Sequence, residues 1–251
     1  MKKFILFFVF ALLFASCQIT EEFNFNNDGS GVYKMHVDMS GMLSMLDEMK
    51  EQNDSVEKPR KFEKHDTIIY FSIFLEEYKD SIKNLSKEEK ELLESLRDAK
   101  IQMKMDEEKK EMWMDYVIPF QSVTDLNDIN RKIAKLNEIN KKKNAENQQN
   151  GLPDKFGNYK DYYTFDRKKF TRRVEVKKME ENQTKSDEED SMEKLSQMFS
   201  YKVIYRFPYK IKSVSHKKAT IGQDGKSVYL DIPADSLIKN PKYMEIEIEF
   251  H

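Results

Sequence analysis

Alternation of apolar and polar residues with period two dominates the chain. Phe23 and Phe25 alternate with polar neighbours, Asp28, Gly29, Ser30 and Gly31 supply turn residues that tolerate positive φ, and Tyr33, Met35, Val37 and Met39 resume the pattern. Such alternation on both sides of a glycine-containing turn predicts a β-hairpin. Ile101, Met103 and Met105 alternate, the charged run from Asp106 to Glu111 turns the chain, and Met112, Met114, Tyr116, Ile118 and Phe120 alternate back, which predicts a second hairpin. Further strands are expected within residues 159–176, 201–207, 211–221 and 227–232, with a turn at Asp224 and Gly225. The last strand is the clearest: Met244, Ile246, Ile248 and Phe250 face one way, Glu245, Glu247 and Glu249 the other.

Helical periodicity interrupts this pattern. Ser40 can cap a short helix with Met42, Met45, Leu46 and Met49 on one face. Ser86 and Glu89 make a capping box, in which each side chain satisfies the other's free backbone donor, and Leu92, Leu93, Leu96 and Ala99 follow as an inner face. Leu126, Ile129, Ile133 and Leu136 recur at helical spacing, and Met192, Leu195 and Phe199 suggest one more short helix. Residues 67–75 (TIIYFSIFL) fit either a buried strand or the start of a helix continuing through Tyr78, Ile82 and Leu85; their β-branched residues favour strand first. Together these elements predict an α+β fold, a mainly antiparallel β-sheet with several helices packed on one face.

Composition narrows the picture. Charged residues make up 35% of the 251, and they gather in polar insertions near 50–64, 140–157 and 177–190. Such stretches cannot bury enough apolar area to fold by themselves, so residues 17–251 read as a single domain with solvated insertions. The formal net charge of −2 argues against a nucleic-acid binder, which would show a basic patch. Cys17 is the only cysteine, so no intramolecular disulfide forms and stability must come from packing.

The surroundings of that cysteine carry the strongest signal. Lys2 and Lys3 precede an apolar run over residues 4–14, and small Ala15 and Ser16 lead directly into Cys17. This is the layout of a secretory signal peptide, residues 1–16, with an apolar run well short of the roughly 20 residues a spanning helix needs. Small residues running into a cysteine resemble the lipobox of bacterial lipoproteins, although Phe14 stands where that motif prefers Leu. The resemblance implies a diacylglycerol on the Cys17 thiol, cleavage just before it and further acylation, such as palmitate. Two or more acyl chains anchor stably where one is marginal. The expectation is a soluble domain on a leash, with the membrane as its partner through the N-terminal lipid. Glu21 and Glu22 resemble the acidic surface-export signals of Bacteroidota lipoproteins, and Cys17 is not followed by the Asp that retains lipoproteins at the inner membrane. Outer membrane is favoured, with periplasmic and surface faces both open. Equally, the two glutamates simply open the first strand.

The hairpin with its Asp28–Gly31 turn, the helix-rich middle and the closing stretch from Phe207 and Pro208 through Asp224 and Gly225 resemble uncharacterised Bacteroidota-type lipoproteins and, more distantly, LppM-type lipoprotein domains. That resemblance implies an envelope lipoprotein and transfers no active site.

Other chemistry is sparse. His36, His65, His216 and His251 show no metal-ligand spacing. There is no GxSxG elbow and no phosphate-binding glycine loop, so no catalytic residue, cofactor or metal is expected. Glu107 with Glu108, and Glu188 through Asp190, lie in solubilising charge runs. One stretch is site-like: Tyr159, Tyr162, Tyr163, Phe165 and Phe170 beside Arg167, Lys168, Lys169, Arg172 and Arg173. Aromatic residues and arginine are enriched at binding hot spots, so these residues suggest a contact surface for a glycan, a peptide or an envelope protein; alternatively the rings pack beneath a loop. Five tripeptides match the Bacteroidota O-glycosylation pattern, centred on Ser55, Thr67, Ser81, Ser191 and Ser236, of which Ser55 and Ser191 lie in polar insertions. Two functions remain: a non-enzymatic binding or structural lipoprotein, which is preferred, and an envelope hydrolase or carbohydrate-active enzyme with dispersed residues, which a cleft with two facing carboxylates would favour.

Overall fold

The computed structural model describes residues 17–41, 43, 64–134, 159–176 and 199–251. Within them the chain is mostly β. The alternating segment after Cys17 forms β1 (Cys17–Phe25), whose residues are buried and half-buried in strict alternation. The Asp28–Gly31 turn, with Gly29 at φ 86°, returns the chain into β2 (Gly31–Asp38). β3 (Lys64–Tyr70) leads straight into α1 (Phe71–Glu77), followed by α2 (Lys79–Ile82) and α3 (Lys87–Glu94). The expected second hairpin is β4 (Lys100–Asp106) and β5 (Glu111–Phe120). A 3₁₀ turn over Val123–Asp128 and helical residues 129–134 come next.

The second half begins with the hairpin of β6 (Tyr159–Phe165) and β7 (Lys169–Val176). It continues with β8 (Phe199–Arg206), β9 (Ile211–Val214), β10 (Ala219–Ile221) and β11 (Ser227–Pro233). After α4 (Ala234–Lys239) and a 3₁₀ turn at Pro241–Met244, the chain ends in β12 (Ile246–Phe250).

These strands form two sheets. The larger has the order β10-β11-β8-β1-β2-β5-β4-β3, the smaller β6-β7-β12-β9. Pairing is antiparallel except between β1 and β8, which run parallel with Cys17 opposite Phe199. The inward faces of both sheets join one hydrophobic core. At one end that core is aromatic: Phe25 of the large sheet meets Phe165 and Phe170 of the small one at 4.9 and 5.3 Å, and Phe207 meets Phe250 at 4.9 Å. Edge and tilted ring pairs of this kind contribute about 0.5–1.5 kcal/mol each beyond burial.

Several expectations need correcting. The run 67–75 is both elements in succession, with the switch between Tyr70 and Phe71, where the Phe71 amide donates to the Ala99 carbonyl. The strand half is an exposed sheet edge, not a buried strand, because β3 has a neighbour on one side only. The stretch 211–221 is two strands in different sheets, since the chain leaves the small sheet after Val214 and joins the large one at Ala219. Phe199 opens β8 instead of closing a helix. Helices do occur alongside antiparallel sheets, and Leu93, Leu96, Leu126 and Ile129 reach the common core. The Met45–Met49 helix face and the insertion segments lie outside the described residues.

Candidate functional site

The alternation that builds β1 places Ile19, Glu21, Phe23 and Phe25 on one inward face, so Glu21 occupies an apolar phase. The same holds for Asp161 between Tyr159 and Tyr163 on β6, and for Arg172 between Phe170 and Val174 on β7. Packing the small sheet on the large one brings the three charges together. Arg172 Nε and Nη2 donate to the two Asp161 carboxylate oxygens at 2.9 and 3.1 Å, and Nη1 donates to Glu21 Oε2 at 2.9 Å. The side-chain exposures of Arg172, Glu21 and Asp161 are 0, 2 and 1%.

Tyrosines surround this triad. Tyr33 donates to Glu21 Oε1 at 2.8 Å, and Arg172 Nη1 lies 3.3 Å from the Tyr205 hydroxyl oxygen. The guanidinium stands over the Phe23 and Tyr163 rings at 5.7 and 5.4 Å. Burial pushes the Tyr33 and Tyr163 hydroxyls well above their ordinary range, and Tyr205 is pushed up to about 12 by burial against the opposing pull of Arg172. For Arg172, burial opposes the charge, but the Asp161 and Glu21 carboxylates outweigh it and hold the guanidinium charged. The Tyr163 hydroxyl is buried with no hydrogen-bond partner among the described residues. With the tyrosines neutral and the carboxylates occupied by Arg172, the arrangement is a closed electrostatic latch between the sheets. It has no accessible acid or base.

Of the residues expected to form an exposed contact surface, Tyr159, Tyr163 and Arg172 are therefore buried, because they lie on the inward phase of β6 and β7. Tyr162, bonded to Glu175 Oε2 at 2.8 Å, is exposed, as are Arg167, Lys168, Lys169 and Arg173. Glu21 belongs to the latch, and Glu22, on the opposite face of β1, accepts from Arg206 Nε at 2.8 Å. Cys17 is the first residue of β1, 2% exposed, so no length of chain separates it from the sandwich. Ser55 and Ser191 lie outside the described residues. The periodicity contained the latch all along: a charge on an apolar phase is its signal, whereas Glu21 and Arg172 lie far apart in the chain and nothing local links them.

The outward face of the large sheet carries a polar set of its own. Asp115 lies 2.6 Å from His36 Nδ1 and 2.9 Å from Lys34 Nζ, and the His36 ring sits 5.9 Å from Trp113. An open groove of about 490 Å³ runs between α1, α2 and α3, lined in part by Glu76, Glu91, Glu94 and Arg97. Arg97 already pairs with both Glu94 and Glu76. No group of three His, Cys, Asp or Glu side chains among the described residues is arranged to hold a metal ion, and no described helix is long and apolar enough to cross a membrane.

No protein-family model matches the chain, and no curated protein matches it in sequence. Among solved structures, the chain is similar to the folded domain of LppM from Mycobacterium tuberculosis, with a TM-score of 0.41 and 4% identity over 94% of this chain and 90% of that one. A likeness this distant defines no family.

Proposed function

We propose that the chain is an envelope lipoprotein held to a membrane by lipid on Cys17, and that its sandwich is a non-enzymatic binding or structural module. The observation that carries this reading is the leader: two lysines, an apolar run over residues 4–14, and Ala15 and Ser16 running into the only cysteine. The character of the fold supports the non-enzymatic part. The two carboxylates facing each other across Arg172 are 2 and 1% exposed, so a substrate does not reach them. The absence of Asp after Cys17 favours the outer membrane. A surface-export role for Glu21 and Glu22 requires that they be read before β1 is in place, since the fold buries one and pairs the other with Arg206.

The test is Cys17→Ser. The native protein should fractionate with membranes and carry acyl mass, and the variant should become soluble. Unchanged membrane attachment of the variant refutes the reading. Protease shaving of intact cells then separates surface display from a periplasmic position.

A further inference from the structure

We propose that the outward surface of the β6–β7 hairpin, carried by Arg167, Lys168 and Arg173, binds an extended anionic polysaccharide. This rests on the binding-module reading and not on the lipid anchor. The pleat sorts the cations of this basic stretch. Arg172 turns inward, where Asp161 and Glu21 hold it. Lys169 turns outward and pairs with Glu247 at 3.1 Å. Arg167, Lys168 and Arg173 are exposed and make no ion pair among the described residues. Arg97, Arg131 and Arg206 each pair with a glutamate, so the described arginines without a carboxylate both stand on this hairpin. Its acids are engaged by uncharged donors: Asp166 accepts the Lys168 and Lys169 amides at 2.6 and 2.8 Å, and Glu175 accepts the Tyr162 hydroxyl at 2.8 Å. With Lys160, whose ammonium lies 5.1 Å over the Tyr162 ring, the hairpin turns five cations outward against two carboxylates. On the neighbouring β12, Glu247 and Glu249 are taken by Lys169 and Lys212, and Glu245 accepts the Val174 amide at 3.2 Å.

Spacing and surroundings choose the occupant. Lys168 at the tip and Arg173 on β7 are five residue steps apart, about 17 Å along the strand. That is too far for one small anion and suits a chain of repeated charges. Lys210 prolongs the row beyond the tip: the Phe250 amide donates to the Lys168 carbonyl and the His251 amide to the Lys210 carbonyl, so these two lysines flank the end of β12. The tip lies at the opposite end of the hairpin from Tyr159 and Val176, which border residues outside the described ones. No large apolar side chain is exposed at the tip, where Phe165 packs on Phe25 and Phe207 at 4.9 and 5.8 Å, so the surface has no apolar face to enter a bilayer. Tyr162, 39% exposed, is the one exposed ring of the hairpin, whereas single-stranded nucleic acid is held on successive stacked aromatics. A lone ring opposite Arg173 instead fits the apolar face of a sugar whose neighbour carries the carboxylate, and tyrosine with arginine is the composition of a binding hot spot.

The test titrates the full chain, in detergent micelles, into fluorescently labelled polygalacturonate, a carboxylate-bearing polysaccharide, and follows anisotropy. Binding should be saturable, absent with uncharged dextran and weakened by salt, which screens exposed charges. The triple variant Arg167→Gln, Lys168→Gln, Arg173→Gln should bind roughly tenfold more weakly, with an unchanged circular dichroism spectrum because all three side chains are exposed. A second triple variant, Lys79→Gln, Lys83→Gln, Lys87→Gln, removes the same charge around α2 and α3 and should bind like the parent. Parent-like binding by the hairpin variant, an equal loss in the second variant, or no binding of polygalacturonate by the parent overturns the proposal. An oligothymidylate, or phosphatidylglycerol mixed into the micelles, should displace the labelled polymer less well, charge for charge, than unlabelled polygalacturonate; better displacement by either overturns the polysaccharide in favour of nucleic acid or lipid. None of these outcomes touches the anchor, which the fractionation of Cys17→Ser decides separately.

Discussion

Replacing Arg172 by methionine keeps most of the side-chain volume and removes the one cation of the latch. Glu21 and Asp161, with side chains 2 and 1% exposed, would then face each other without a counter-charge. Breaking a buried ion pair by removing one partner costs about 3–5 kcal/mol, and here two carboxylates lose their partner at once, so Arg172→Met should cost about 5 kcal/mol. Total stability of a domain is typically about 5–15 kcal/mol, and at this chain length each kcal/mol shifts Tm by roughly 2–4 °C. Urea unfolding followed by circular dichroism measures the loss. The triple variant Glu21→Gln, Asp161→Asn, Arg172→Met removes all three charges together and should recover at least half of it, since a buried ionic cluster is costly mainly when incomplete. A loss below about 1.5 kcal/mol for Arg172→Met, or a triple variant no better than the single, would refute the idea that mutual neutralisation holds the two sheets together.

Gly31→Ala should be destabilising by about 2 kcal/mol in the same assay, because a Cβ there would sit 2.0 Å from the Asn24 carbonyl oxygen and 2.4 Å from the Phe120 ring. Acid sensitivity should follow Glu22: burial raises its carboxyl, but hydrogen bonds from Arg206 and Asn24 and the charges of Arg206 and Lys34 outweigh that and hold it below its ordinary 4.5. A depressed carboxylate contributes stability above its unfolded value and loses it as pH falls through the folded one. The urea midpoint should therefore fall as pH drops below 4.5, and Glu22→Gln should flatten that slope; parallel wild-type and variant profiles would contradict the assignment.

Much of this fold was legible because alternation is local. The strands β1, β2 and β12 alternate in burial residue by residue, β4 and β5 stand where the second hairpin is expected, and Ser86 with Glu89 makes the reciprocal cap expected at the start of α3. What escaped was set by distant partners. Nothing within 211–221 says that the chain changes sheets between Val214 and Ala219, and nothing near β1 says that its second neighbour is β8 in parallel. The aromatic and basic stretch over 159–176 suggests a contact surface only while its Arg and Lys residues are taken as one group. The pleat divides them, turning Arg172 inward and leaving Lys169 and Arg173 outside.

The parallel pairing of β1 with β8 also fixes an order of assembly. β1 is the first part of the sandwich to be synthesised, yet Cys17 finds its second neighbour only when Phe199 arrives. Until Phe199–Arg206 is available to pair, one side of β1 is an unfinished edge, with its hydrogen-bonding groups open to any extended segment it meets, so the first strand of the sandwich is the part most exposed to helper proteins before folding is complete.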